Sequence, residues 1–154
     1  MINLVPMTES DYWAYLTAVV PDYAADLMKS RHLAEQEALQ RARQSYDESL
    51  PQGLQTPGNF VSKLVNQADE VVGFLWYWQN DKRPGVAFIY DLEIYAPFRR
   101  RGYASQAMTA LEAHARPKGV TRLELHVFGH NTAARELYKK VGYAETDVQM
   151  AKEI

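Results

Sequence analysis

The chain has 154 residues, 47% of them hydrophobic and 23% charged, with a formal net charge of −2 and no cysteine. That length suits one domain with a real core, the charge balance supplies no general attraction to nucleic acid or an anionic membrane, and the absence of thiols excludes disulfides, thiolate metal sites and a cysteine nucleophile. No apolar run approaches the ~18 residues of a membrane span, and the start MINLVPMTESDYW lacks the charged head and apolar run of a signal peptide, so a cytoplasmic protein is expected.

Ile2–Met7 reads as a short strand. Thr8 or Ser10 can cap a helix with Glu9 and Asp11 in its first turn. Asp11–Val20 is apolar enough to pack, and Pro21 breaks or restarts it. From Asp22 to about Leu50 the pattern is helical, with Leu27, Leu33, Ala34, Ala38, Ala42 and Tyr46 as a broken apolar stripe. SLPQGLQTPGN is a loop. The period then changes: Phe60–Val65 and Val71–Trp78 read as strands joined by NQADE, and NDKRPG leads into a third strand of the meander, Val86–Tyr95. Gly102–Arg116 is helical, with Ala104, Met108, Leu111 and Ala115 on one face. Leu123–Val127 is a strand, Asn131–Val141 a helix opened by Asn131 and closed by Gly142, and Tyr143–Lys152 a final strand. The strand–helix–strand units of the second half predict an α/β (α+β) chain, with a mixed sheet covered by helices on both faces.

Arg99, Arg100 and Arg101 stand just before the helix that begins near Gly102. A helix start carries partial positive charge, so each cation there costs roughly 0.3–1 kcal/mol. Either the run is a solvated turn, its cost cut by salt, or it serves an anion. In the second case the unpaired amides of the helix start would bind a phosphate, Gly102 would permit close approach, Ala104 would keep the next position small, and the arginines would add charge.

The order Arg99-x-x-Gly102-x-Ala104 between a strand and a helix resembles the acetyl-coenzyme A signature of the GNAT N-acetyltransferases. A second segment, LELHVFGHNTAARELYKKVGYAET, is similar to the family's next strand and helix through Asn131, Ala133 or Ala134, Leu137, Tyr138, Gly142 and Tyr143. Together the two cover about residues 86–146, and the chain looks most like small bacterial members. The resemblance implies a single GNAT-like domain over 1–154, with a mostly antiparallel central sheet of six to seven strands. Residues 8–58 would be the variable, substrate-side helical segment and 86–146 the acetyl-coenzyme A-binding core. It further implies that the strand before the arginines splays from its neighbour at a bulge near Ile94. Exposed backbone at Ile94, Tyr95 and Ala96 would pair with pantetheine, and the amides of Arg99, Arg100, Arg101, Gly102, Tyr103 and Ala104 would seat the pyrophosphate. Asn131 would hold the coenzyme or simply cap its helix. Tyr138 would protonate the departing thiolate or simply pack.

The resemblance also implies an amine nucleophile, which needs a base. Strand alternation puts Phe88, Tyr90, Leu92 and Ile94 on one face and Asp91, Glu93 and Tyr95 on the other. A central strand should not carry two carboxylates without a reason. Like charges about 7 Å apart, and partial burial, would raise one pKa toward neutrality. Glu93, nearer the expected bulge, is the first candidate and Asp91 the second, or Asp91 binds the acceptor's cation. Either carboxylate could instead pair with a core Arg, Tyr or backbone group. His126, alternating with Glu124, is expected to face the same cleft as a relay or as a structural histidine. Phe74–Trp78 is mainly core. The four histidines are scattered and suggest no metal site. The expected activity is acetyl transfer from acetyl-CoA to a small-molecule or peptide amine by direct attack, with a homodimer as a further expectation. The alternative is a non-catalytic coenzyme-binding module of the same fold.

Overall fold

Long helical stretches, then an abrupt change to a two-residue period, divide the chain, and the computed structural model, which describes residues 1–154, follows that division. The elements are β1 (Asn3–Pro6), α1 (Glu9–Arg31), α2 (Glu35–Ser49), β2 (Asn59–Val65), β3 (Val71–Gln79), β4 (Val86–Ile94), α3 (Tyr103–Ala115), β5 (Arg122–Leu125) and α4 (Thr132–Lys140). The strands form one mixed sheet in the order β1-β2-β3-β4-β5. The first three pairings are antiparallel and β4–β5 is parallel, as the α3 crossover between them requires.

Alternation along β3 builds both layers. Leu75 and Tyr77 turn to one face, where Ala107, Met108, Leu111 and Ala115 of α3 meet them. Phe74 and Trp76 turn to the other, under Tyr12, Tyr15 and Val19 of α1 and Tyr46 of α2. Helix α1 starts on a reciprocal cap: Thr8 Oγ1 accepts from Asp11 N at 3.2 Å, and Asp11 Oδ2 accepts from Thr8 N at 2.9 Å. Lys63 on β2 reaches the same carboxylate at 2.8 Å and holds its pKa down at about 2.

Four expectations need correction. Pro21 does not interrupt α1, which runs to Arg31. Pro21 and Thr17, whose carbonyl loses its usual donor, both lie on the exposed face, where water can take that bond. The helix expected over Asp22–Leu50 instead ends at His32, which adopts a left-handed φ of 54° and donates its amide to Met28 O, before α2 begins. The sheet has five strands, not six or seven, and Tyr143–Lys152 contains none. Only the start of that segment packs: Tyr143 lies against the core, while Val148 and Met150 are exposed, so no face is buried to hold a strand. Finally, the faces of β4 are not continuous. Asp91 stands opposite Trp76 and Ile89 opposite Tyr77, leaving Tyr90 as an extra residue. This bulge shifts the phase. Ala87 and Ile89 before it, and Leu92 and Ile94 after it, all join the α3-side core. Tyr90 stacks on Trp76 with ring centroids 4.3 Å apart and Phe88 lies edge-on to Tyr90, so both sit on the α1–α2 side.

Gly73 lets β3 close on the site strand. A Cβ there would lie 1.9 Å from the carbonyl oxygen of Glu93, a backbone atom that can yield only if β4 moves. Gly73→Ala is therefore expected to cost about 2–3 kcal/mol, roughly 5–10 °C in Tm. A thermal melt within about 1 °C of wild type would contradict this tight approach.

Candidate active site

The site begins where the sheet opens. β4 and β5 pair only from Val86↔Arg122 to Ile89↔Leu125, and β4 then runs on through Ile94 without that neighbour. The bulge therefore lies at Tyr90, where the pairing stops, and not near Ile94. Tyr95 donates its amide to Val72 O at 2.9 Å. By ladder alternation Glu93 also turns its backbone groups to β3, while Leu92 and Ile94 turn theirs to the open side. Of the backbone expected to be exposed, Ile94 fits; its carbonyl accepts Arg99 Nε at 2.8 Å. The Tyr95 amide is already taken, and Ala96 begins a short 3-10 turn, Ala96–Phe98.

That turn leads into a run of unpartnered amides. Arg100 and Gly102 both have positive φ, 62° and 79°, separated by Arg101. Gly102 caps α3 without a side-chain bond, and the first helical amide with an acceptor is that of Gln106, to Gly102 O. From Arg100 through Ser105 no amide has a protein acceptor. Alternating backbone of this kind turns successive N–H groups to one side, and the dipole of α3 adds to their field. The three arginines behave differently. Arg99 folds back, with Nη2 at 3.1 Å from Glu93 Oε1, and its amide bonds Ala96 O. Arg101 lies over the Phe98 ring, 5.9 Å from its centroid. Arg100 makes no side-chain hydrogen bond or ion pair with the protein and is exposed.

The carboxylates Asp91 and Glu93 share the α1–α2 side of β4 but not an environment. Glu93 is half-exposed and paired with Arg99. Asp91 lies under the helices, and its Oδ2 accepts from Tyr15 of α1 and, at 2.8 Å, from Tyr46 of α2. Both phenols use Oδ2. Oδ1 has no protein donor and is not sealed from solvent. Burial raises the Asp91 pKa to about 6; the two phenols pull it down and the charge of Glu93 adds a little upward. Burial and then the Asp91 charge push both phenols above the ordinary tyrosine range.

After β5 the chain forms α4. Its N-cap is Asn131, whose Oδ1 accepts from Ala134 N at 3.2 Å, so the capping role is realised and only the amide group stays uncommitted. Tyr138 packs against the α3-side core. Its pKa is pushed up to about 12, first by burial and then by the Asp91 charge. The Tyr138 hydroxyl makes no protein hydrogen bond and is not enclosed. The segment between β5 and α4 ties back to the helical pair: Phe128 packs against Ala24, Leu27, Ala38 and Ala42, and His130 Nε2 meets Asp26 at 2.8 Å. His126 directly follows Leu125, the last residue of β5 paired to β4, and is exposed and edge-on to Phe128, while Glu124, inside the paired stretch, is taken up by Arg83 and Arg122.

Tyr15 and Tyr46 were not singled out by sequence as site residues. The available signal was the demand of a strand carboxylate for donors, together with tyrosines on apolar helical stripes, but nothing local links residues 15, 46 and 91. Two surface hollows of about 450 and 480 Å³ lie elsewhere, one beside Leu4, Met7 and His114 and one beside Gly58, Asn80 and Lys118. Neither is lined by residues 90–94 of β4. No three His, Asp or Glu side chains are grouped to share a metal ion, and no helix is long and apolar enough to cross a membrane.

The chain and its fold are similar to those of known proteins. The chain is 39% identical to the uncharacterised N-acetyltransferase YycN of Bacillus subtilis strain 168, covering 99% of each chain, and 35% identical to YdgE of the same organism, another uncharacterised N-acetyltransferase, covering 99% and 98%. The crystal structure of B. subtilis YycN superposes with a TM-score of 0.95, covering 100% of this chain and 99% of that one. The family model described as Acetyltransferase (GNAT) family matches residues 10–143, and the chain belongs to that family.

Proposed function

We propose that this GNAT acetyltransferase moves an acetyl group from acetyl-CoA to a primary amine by direct attack in a ternary complex, with Asp91 as base and Tyr138 as acid. What supports this reading is a carboxylate on β4 with a pKa of about 6 and one oxygen free of protein donors, together with a phenol on α4 that makes no protein hydrogen bond and stays protonated across the neutral range.

The coenzyme would lie along the open edge at Leu92 and Ile94, replacing the missing strand. Its diphosphate would meet the amides of Arg100 through Ser105, with the Arg100 side chain nearby and the Asn131 amide group reaching from α4. A ligand that accepts hydrogen bonds resolves a run of orphan donors that would otherwise depend on water. At pH 7.5 Asp91 is mostly ionised. Through Oδ1 it takes one proton from the ammonium, directly or through a water. The freed lone pair forms the new C–N bond, and the amide of Ile94 is the donor nearest the developing oxyanion. Collapse breaks the C–S bond. The second nitrogen proton passes to sulfur with Tyr138 as relay, and the Asp91 proton returns to solvent, leaving an acetamide and free coenzyme A. The sequence favoured Glu93 as base; its pairing with Arg99 gives it a neighbour's charge to balance, and we assign it to electrostatic attraction of a cationic acceptor beside exposed Tyr90 and Tyr95.

Saturation with coenzyme A or acetyl-CoA, at about 100 times Kd, is expected to stabilise the protein by roughly 2.7 kcal/mol. Acetylation of a panel of amines is then expected, and Tyr138→Phe and Asp91→Asn should each retain that stabilisation while losing roughly 10²-fold in kcat. Near-wild-type turnover in both variants would remove these assignments. Saturable binding without acetylation of any amine would favour the binding module. Asp91 also has a stability signature. Its folded pKa is raised, so the folded protein holds a proton that the unfolded chain releases between pH about 4 and 6, and stability falls as pH rises through that window. Asp91→Asn removes a penalty on the order of 3 kcal/mol at pH 7.5. The expected variant is therefore much slower yet at least as stable as wild type there; marked destabilisation by urea titration would show that the ionised carboxylate supports the fold.

A further inference from the structure

We propose that Tyr15 and Tyr46 are a pair of positioning residues that grip Asp91 by one oxygen and set the pH at which it ionises. The mechanistic consequence rests on the reading of Asp91 as base; the grip itself does not.

The geometry is specific. The phenols come from different helices, 31 positions apart, yet both donate to Oδ2 and neither to Oδ1. Their rings are buried and wedged: Tyr15 lies edge-on to Phe74 at 4.8 Å and to Tyr46 at 6.2 Å, and Tyr46 tilts against Trp76 at 5.7 Å and stands edge-on to Tyr23 at 6.2 Å. Neither hydroxyl can swing to another acceptor without unpacking the α1–α2 layer. Two fixed donors on one oxygen define the carboxylate plane and aim the other oxygen away from the helices. They also favour the ionised form against the burial that opposes it. Because both phenols are themselves held above their ordinary range, they stay protonated, and so remain donors, across the neutral region.

The remaining groups around Asp91 cannot substitute. On its own strand the nearest charge is Glu93, which disfavours ionisation and is itself paired with Arg99. From β3 come Trp76 and Phe74, which do not titrate. From α4 comes Tyr138, which is neutral below a pKa of about 12. The stabilisation of negative charge at Asp91 is thus concentrated in two hydroxyls supplied by the helical segment that the family resemblance assigns to the acceptor side. Removing one hydroxyl leaves burial less opposed, so Asp91 ionises at higher pH and a larger share of it is protonated at neutrality.

The test is a carbon-13 NMR titration of selectively labelled aspartate in the full chain, with the Asp91 resonance identified by its loss in Asp91→Asn. In Tyr46→Phe, and separately in Tyr15→Phe, the Asp91 midpoint should rise by about one pH unit. Ring-fluorinated tyrosine at position 46 keeps the shape and strengthens the donor, and should move the midpoint down. A role limited to packing predicts no shift in the fluorinated protein and no opposite signs. An unchanged Asp91 midpoint in folded Tyr46→Phe and in the fluorinated protein overturns the proposal. The acid limb of kcat/KM should follow the NMR midpoint in each variant. An NMR shift that the rate profile ignores would leave the tyrosine pair intact and remove Asp91 as the base, so the two readings fail separately.

Discussion

One extra residue governs the site. Tyr90 is accommodated as a bulge against β3 at the place where β4 loses its parallel partner. Had β4 kept both neighbours to its end, Leu92 and Ile94 would be ordinary ladder residues and the sheet would have no opening. Because β5 stops at Leu125, their backbone groups face a gap instead. The same phase shift places Asp91 beneath α1 and α2 while Leu92 and Ile94 fill the α3-side core. Gly73 supports the arrangement from the other side, since no side chain fits between β3 and the Glu93 carbonyl.

Two carboxylates two residues apart then come to different chemistry through competition between burial and hydrogen bonding. For Asp91 the loss of solvation is the larger effect, and it outweighs donors that would otherwise favour the anion by about 1.5–3 kcal/mol each. The outcome is a carboxylate poised to exchange a proton near neutrality. Glu93 sits at the half-exposed edge with Arg99 as neighbour, an ion pair of the kind that contributes between nothing and about 1 kcal/mol. The arginine run, which looked electrostatically costly as a unit, divides likewise: Arg99 braces the open edge, Arg101 rests on Phe98, and Arg100 alone is uncommitted. The anion-binding potential of the turn resides more in its backbone than in its side chains.

Much of this was legible in the sequence. The meander, the α3 crossover and the α4 cap followed from periodicity and from Gly102 and Asn131, because those signals are local. The family was legible from the Arg99–Ala104 and Asn131–Tyr143 segments. Other features depend on long-range choices. Alternation rules assume an unbroken strand, so they could not place the bulge at Tyr90 and they misassigned Phe88 and Tyr90. Pro21 marks a helix end only where its lost hydrogen bond would be buried, and exposure of that turn spared α1. Tyr143–Lys152 alternates like a strand but finds no surface to cover. The contacts of Tyr15 and Tyr46 with Asp91 span 76 and 45 positions, beyond any pattern a window of sequence can carry.

The account stands or falls on the gap and the amide run beside it. The most direct measurement is amide hydrogen exchange, read residue by residue with and without saturating acetyl-CoA. The expected result is strong new protection at Arg100 through Ser105 and at Leu92 and Ile94, with little change in β1 and β2. Unchanged exchange at those amides in protein saturated with acetyl-CoA would contradict it.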